Sequence, residues 1–278
     1  MSGRGTATDT RPIRVEELKR AWLAVQNGAF RDPAPAPNAN LGAAPPGSAW
    51  TPAEAVLPVV GCVAQSGATT LALALATAAD HARLIECCTV TASGLSAATT
   101  AEMGTTEARW ITGRRDSVTV ARRGAVHLSA SELPAPEPAT DDTALTVLDA
   151  GWEIGQLLVS PGWLSAEVRD AATVVAVTTA TVPGMRRLEI ALELLGADRT
   201  VVAVLGAPPR RWARAVTAAI GPLTVGLVRD GRLVDVPPLK NLAERGIDAA
   251  RLPEPLLHAA QTVLRHTDVG TRHMEGQP

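Results

Sequence analysis

The chain of 278 residues contains no tyrosine, one phenylalanine and only two lysines, Lys19 and Lys240. With no Tyr and a single Phe it lacks the material for the base-stacking sheets of common RNA-binding domains. It also lacks a general basic coat. The 26 Lys and Arg face 28 Asp and Glu, for a net charge of -2, so nucleic acid is admitted only at a local patch. Cysteine is scarce: Cys62, Cys87 and Cys88. Adjacent cysteines rarely bridge, and an odd number makes no disulfide framework, so a reduced cytoplasm is the expected setting. The thiols have no zinc spacing, and the five histidines show no metal pattern. No run approaches roughly 18 uninterrupted apolar residues, and the first fourteen residues hold no apolar stretch. Neither a membrane span nor a secretory leader is expected. No serine stands in a G-x-S-x-G elbow, which leaves a hydrolase triad without support.

What the chain does have is 46% apolar residues, enough for a packed core. After a polar tail, Val15, Leu18, Trp22 and Val25 recur at spacings of three and four, and Gly28 follows. That spacing predicts an amphipathic helix within residues 1–30. Such a helix either docks on its own domain or presents Leu18 and Trp22 to a partner's groove. Residues 31–54 are rich in Pro, Ala and Gly and read as a linker. From 55 to 266 strands and helices alternate. Continuous apolar runs predict strands at 56–63, 83–90, 144–151, 172–180, 199–206 and 223–230. Helical stripes fall at 69–82, 183–196, 210–221 and 253–266. A hairpin is read from 117–122 and 125–128. Residues 267–278 read as a disordered tail. The expected fold is α/β, a three-layer domain with a mainly parallel sheet. Ligands then belong at the carboxyl ends of the strands.

The most informative stretch joins the first strand to the first helix: Gly61-Cys62-Val63-Ala64-Gln65-Ser66-Gly67-Ala68-Thr69-Thr70. A small-residue loop in that context aims backbone N–H groups and the positive end of a helix at a phosphate. In the pattern G-x-x-x-x-G-K-[ST], Gly67 takes the second glycine and Thr69 the magnesium-linked hydroxyl. Ala68 stands where the lysine belongs, and Cys62 where the first glycine belongs. The plain alternative is a tight strand-to-helix turn with Thr69 as its cap.

Residues Val63 to Thr70 resemble the K-G-G-x-G-K-T-T loop of the ParA/MinD family of deviant P-loop ATPases, with Val63 and Ala68 in the two lysine places. Leu84-Ile85-Glu86 is similar to the family's second strand, which ends in an aspartate. Val147-Leu148-Asp149-Ala150-Gly151 matches its later aspartate-bearing strand. The resemblance runs from about Val56 to Leu264. It implies a P-loop-type domain that takes ATP or ADP with magnesium through Gln65, Ser66, Gly67, Ala68, Thr69, Thr70, Glu86 and Asp149. Thr69 and Asp149 would hold the magnesium. It also implies a face-to-face homodimer and a role in a bacterial positioning, partition, secretion or plasmid-maintenance system. With its phosphate loop degenerate, the chain is expected to bind nucleotide weakly or not at all and to act as a regulatory or scaffolding partner of another protein. No catalytic residue is assigned.

Two further readings remain open. One is a slow ATPase in which Arg114, Arg115, Arg122 or Arg123 supplies the missing charge. The other is a partner-binding module working through the N-terminal helix. Arg210, Arg211 and Arg214 form a basic group that either meets nucleic-acid phosphates or faces water. Glu86 interrupts an apolar strand and needs a partner if buried.

Overall fold

The computed structural model describes residues 49–267 apart from 90, 93 and 141. The N-terminal helix with Leu18 and Trp22, most of the linker, and the tail from 268 lie outside the described residues.

Nine strands form one sheet in the order β3-β4-β5-β2-β6-β1-β7-β8-β9. They are β1 (Ala55–Gly61), β2 (Ala82–Glu86), β3 (Ala101–Thr105), β4 (Trp110–Arg115), β5 (Val118–Arg123), β6 (Leu145–Ala150), β7 (Val174–Thr179), β8 (Thr200–Leu205) and β9 (Leu233–Val236). The seven strands from β5 to β9 in that order pair in parallel. β3 and β4 extend one side in antiparallel fashion. The β1, β2, β6, β7 and β8 runs are buried on both faces, which is why they read as unbroken apolar stretches rather than alternating ones.

Alternate residues of each strand feed two cores. On one face, Leu57, Val59, Leu84, Val147, Val175 and Ala203 pack beneath α1 (Ala68–Ala79) and against the chain's last described helix, Glu254–Leu264. In α1, Leu71 to Ala76 are buried without a break. A helix hydrophobic all round belongs between two apolar layers, here the sheet and that last helix. On the other face, Val60, Ile85, Leu148, Ala176 and Val202 meet α2 (Ile154–Val159), α3 (Trp163–Asp170) and α4 (Val182–Leu195). The three-layer α/β expectation therefore holds. Among the described residues no helix is long and apolar enough to cross a membrane.

Several local expectations are corrected. The hairpin is not 117–122 with 125–128. It is β4 with β5, turning at Asp116, whose φ is +52°. The helix expected over 210–221 is broken into a 3-10 turn at Pro209–Arg211 and the short α5, Arg214–Thr217. The stretch 223–230, read as a strand, is α6, Pro222–Arg229. Its β-branched residues suggested a strand, but Pro at the first turn and the buried pair Thr224 and Leu227, three apart, obey helical rules. A long-range contact completes the helix. The Glu189 carboxylate on α4 accepts hydrogen bonds from Leu223 N (2.7 Å), Thr224 N (3.1 Å) and Thr224 Oγ1 (2.8 Å). The final strand is instead β9, followed by α7 (Lys240–Arg245) and α8 (Glu254–Leu264).

The amino edge of the sheet is closed by a buried polar cluster. Arg83 on β2 donates to Glu54 (2.6 Å), to Thr146 on β6 (3.2 Å) and to the carbonyl of Glu137 (2.6 Å). Thr146 also donates to Glu54. The Arg83 guanidinium lies over the ring of Trp50, which meets Trp163 edge-on at 5.1 Å. Residues 50–54, the end of the expected linker, are thereby fixed to the domain.

Replacing Glu54 with Ala leaves the Arg83 cation buried without its counter-charge, so the expected loss is about 3–5 kcal/mol in urea unfolding. Burial pushes the Glu54 carboxyl up, but its hydrogen bonds from Thr146 and its own backbone and the Arg83 charge together hold it below the usual carboxylate range. Its folded value is thus depressed. The stabilisation is expected in full above the ordinary carboxylate value and to fade as pH falls through the lower folded one. A pH series of unfolding midpoints for parent and Glu54→Ala checks this.

Candidate functional site

The sheet order places β6 between β1 and β2. Three segments singled out from sequence therefore converge on one carboxyl edge: the loop after β1, Glu86 at the end of β2, and Asp149 near the end of β6. In register, Asp149 lies opposite both Val59 and Glu86. Side chains opposed in a parallel ladder share a face, and here that face is the one covered by α1.

The loop is built from small residues held in unusual conformations. Gln65 has φ +57° and Gly67 has φ +84°. A side chain at Gly67 would incur left-handed strain and would bring its Cβ to 3.4 Å from Leu205. Gly67 is the N-cap residue of α1, and no side chain caps that helix. Thr69 lies inside the helix, so it is not the cap of a plain turn. Cys62 N bonds to Val177 O (2.8 Å), Ser66 N to Val63 O (3.3 Å) and Leu71 N to Gly67 O (2.9 Å). Among the described residues, the amides of Ala64, Gln65, Gly67, Ala68, Thr69 and Thr70 find no acceptor. A run of unbonded amides at the start of a 12-residue helix is a cradle for an anion.

Asp149 faces this cradle from below. It is fully buried, and neither carboxylate oxygen has a hydrogen-bond partner. Burial pushes its carboxyl up to about 7, only partly countered by the nearby Thr69 hydroxyl, while the Glu86 charge adds to the rise. Burying a carboxylate with no counter-charge is costly. Such an arrangement persists where a cation completes it. Glu86 serves the fold instead. Its carboxylate accepts from Gly94 N (3.0 Å) and Leu95 N (3.2 Å), pinning the loop after β2.

Gly151 closes the site. A Cβ there would stand 2.5 Å from that of Cys88, so only glycine lets the end of β6 pass the end of β2. The thiols are unreactive by position. Burial pushes Cys62 up to about 12 and drives Cys87 and Cys88 upward as well. All three cysteines are free. Among the described residues no three His, Cys, Asp or Glu side chains gather as a metal cage.

No lysine or arginine takes the places of Ala68 and Val63 within the loop itself. Of the arginines flanking the hairpin, Arg115 is spent on the carbonyls of Ala98, Asp248 and Ala250. Arg122 pairs with Glu102 (2.5 Å). Arg114 is exposed and donates to Asp116 O. Arg123 ends β5 at the same edge as the loop. Arg210, Arg211 and Arg214 are exposed and make no ion pair among the described residues.

Replacing Asp149 with Asn removes the buried charge while keeping the shape. Because burial raises this carboxyl, the folded protein loses stability as pH climbs from the usual carboxylate value to about 7. Asp149→Asn is therefore expected to raise the melting temperature of the ligand-free protein at pH 8 by an amount worth up to about 3–4 kcal/mol, and to change it little at pH 4. Scanning calorimetry at the two pH values checks this.

No family model matches the sequence, and no curated protein matches it significantly. Solved structures do. A ParA family ATPase from Chlorobium tepidum is 14% identical over 77% of this chain and 93% of its own, with a TM-score of 0.46. The cell division ATPase MinD from Pyrococcus furiosus is 15% identical over 77% of this chain and 99% of its own, with a TM-score of 0.47. MinD from Pyrococcus horikoshii, complexed with Mg-ADP, is 12% identical over 81% of this chain and 100% of its own, with a TM-score of 0.46. These three solved structures are of ParA- and MinD-type ATPases.

Proposed function

We propose that the chain is a ParA/MinD-like protein that holds a magnesium nucleotide weakly. It acts as a regulatory or scaffolding partner in a bacterial positioning, partition, secretion or plasmid-maintenance system. One observation carries the reading: a fully buried, unpartnered carboxylate, Asp149, sits directly under a cradle of unbonded amides. Cradle and carboxylate together suit an anion accompanied by a divalent cation, which is the chemistry of a nucleotide's phosphate tail.

In this reading the amides of Ala64, Gln65, Gly67, Ala68, Thr69 and Thr70 receive the phosphates, and Ser66 shapes the loop. The Thr69 hydroxyl and Asp149 hold the magnesium. Bound magnesium neutralises the phosphate charge. The charge that a lysine normally adds is missing at Ala68. A charge-assisted hydrogen bond contributes roughly 1.5–3 kcal/mol, which corresponds to binding some ten- to more than hundred-fold weaker. Hydrolysis depends on the same charge still more strongly, so a slow ATPase is the second reading. Val63, in place of the other lysine, leaves a face-to-face homodimer without the group that would reach across it. The free thiols suit a cytoplasmic setting. A protein partner would engage the N-terminal segment through Leu18 and Trp22. DNA, if bound, would meet Arg210, Arg211 and Arg214.

Calorimetric titration with MgATP and MgADP tests the proposal. Measurable, magnesium-dependent binding is expected for the parent, with the magnesium dependence lost in Asp149→Asn. Ala68→Lys is expected to tighten ATP binding at least tenfold. Absence of binding at millimolar nucleotide, together with no gain from Ala68→Lys, overturns it.

A further inference from the structure

Eight large apolar side chains stand exposed among the described residues, and four of them lie on two helices. Ile190 and Leu194 on α4 are 57% and 49% exposed, and Val225 and Val228 on α6 are 46% and 47% exposed. The two helices run side by side in the same direction. Glu189, midway along α4, holds Leu223 N and Thr224 N at the start of α6. Arg232, just past α6, donates to the carbonyls of Ala197 (2.8 Å) and Asp198 (2.6 Å), just past α4. Their inner sides, with Leu188, Leu192, Leu195 and Leu227, belong to the core on the sheet. Their outer sides stay open to solvent among the described residues.

Scattered apolar residues on a surface need no explanation. The order of charges around these does. At 3.6 residues per turn, Arg186, Arg187, Ile190, Glu193 and Leu194 share the outer face of α4, and all five are exposed. The two arginines lie one turn before Ile190, and Glu193 lies one turn after it. None of the three charged groups makes an ion pair among the described residues. The face therefore runs from positive through apolar to negative along the helix. A second copy laid antiparallel on it, with the two-fold axis crossing at Ile190, meets it in complementary order. Helix geometry sets Arg186 of one copy at the level, and on the side, of Glu193 of the other, twice by symmetry. Ile190 then packs on Ile190, and the aliphatic stem of Arg187 lies along Leu194. A parallel pairing would instead set arginines against arginines.

We infer that the outer face of α4, with Val225 and Val228 of α6 beside it, is a two-fold interface between copies of this chain. One self-complementary patch serves both subunits of such a dimer, which makes it the commonest kind of homo-oligomer. The apolar centre drives association, and the two Arg186–Glu193 pairs at its rim set register and direction. The inference stands apart from the nucleotide reading. The face belongs to the helical layer on the opposite side of the sheet from α1, and the contact needs no nucleotide.

Sedimentation equilibrium of the full chain over a range of micromolar concentrations, without nucleotide or magnesium, tests this, with melting curves as the folding control. A concentration-dependent monomer–dimer equilibrium is expected for the parent. Ile190→Asp is expected to weaken it at least tenfold, because a charge is then buried against its own copy. Arg186→Glu and Glu193→Arg each bring like charges together twice, and each is expected to weaken it about tenfold. Mixed in equal amounts, these two variants are complementary only to one another. The mixture is therefore expected to regain the parent's dimer, as is the chain that carries both changes. Neither unfolding nor an occupant other than a second copy produces that recovery. A parent that stays monomeric, the result if another protein or another segment of this chain covers the face, overturns the proposal. So does a dimer that Ile190→Asp and the single charge reversals leave unchanged, or a mixture that regains nothing.

Discussion

Parallel strand pairing is the constraint on which the rest of this structure depends. A parallel pair cannot be closed by a tight turn, so each strand returns through a crossover that lies on a face of the sheet. Seven strands paired this way commit both faces to helices and bury the central strands completely. They also send every carboxyl end to one edge. The loop after β1, the end of β2 and Asp149 on β6 become neighbours for that reason, although they are distant in sequence. The antiparallel β3–β4–β5 addition then brings Trp110 and Arg123 to the same edge.

The two edges of the sheet solve the problem of buried polarity in opposite ways. At the amino edge, Arg83, Glu54 and Thr146 satisfy one another, with a carbonyl and an indole ring completing the arrangement. That cluster is self-contained and serves stability. At the carboxyl edge the donors and the acceptors remain apart, and each is left incomplete. Low polarity around a buried group strengthens a satisfied hydrogen bond and penalises an unsatisfied one by the same physics. The first edge is therefore complete within the chain, while the second leaves buried polar atoms without partners among the described residues. Glu86 stands between these cases: it lies at the carboxyl edge but is spent on two amides of its own chain.

Much of the core was legible because buried parallel strands leave a strong signature. The runs around Val59, Leu84, Val147, Val175 and Val202 were all recognisable as strands, and their ends shifted by only a few residues. The places of Gly67 and Asp149 in the fold were legible because a turn glycine before a helix and an aspartate ending an apolar strand are rare enough to stand out. The segment from Gly221 to Gly231 misled because Val and Thr favour strands locally. Its helical state depends on Glu189, more than thirty residues earlier. The β3 strand, exposed throughout, has no apolar signal to read.

The amino-acid sequence by itself determined the α/β class, the position of the strand–loop–helix unit and the absence of lysine from its loop. These follow from local periodicity and composition, which neighbours do not alter. Only the tertiary structure decided that Glu86 is occupied and that Asp149 is fully buried beside Glu86 on the face covered by α1. Those are facts about strand order and side-chain facing. One register or one neighbour changes them while the local sequence stays the same.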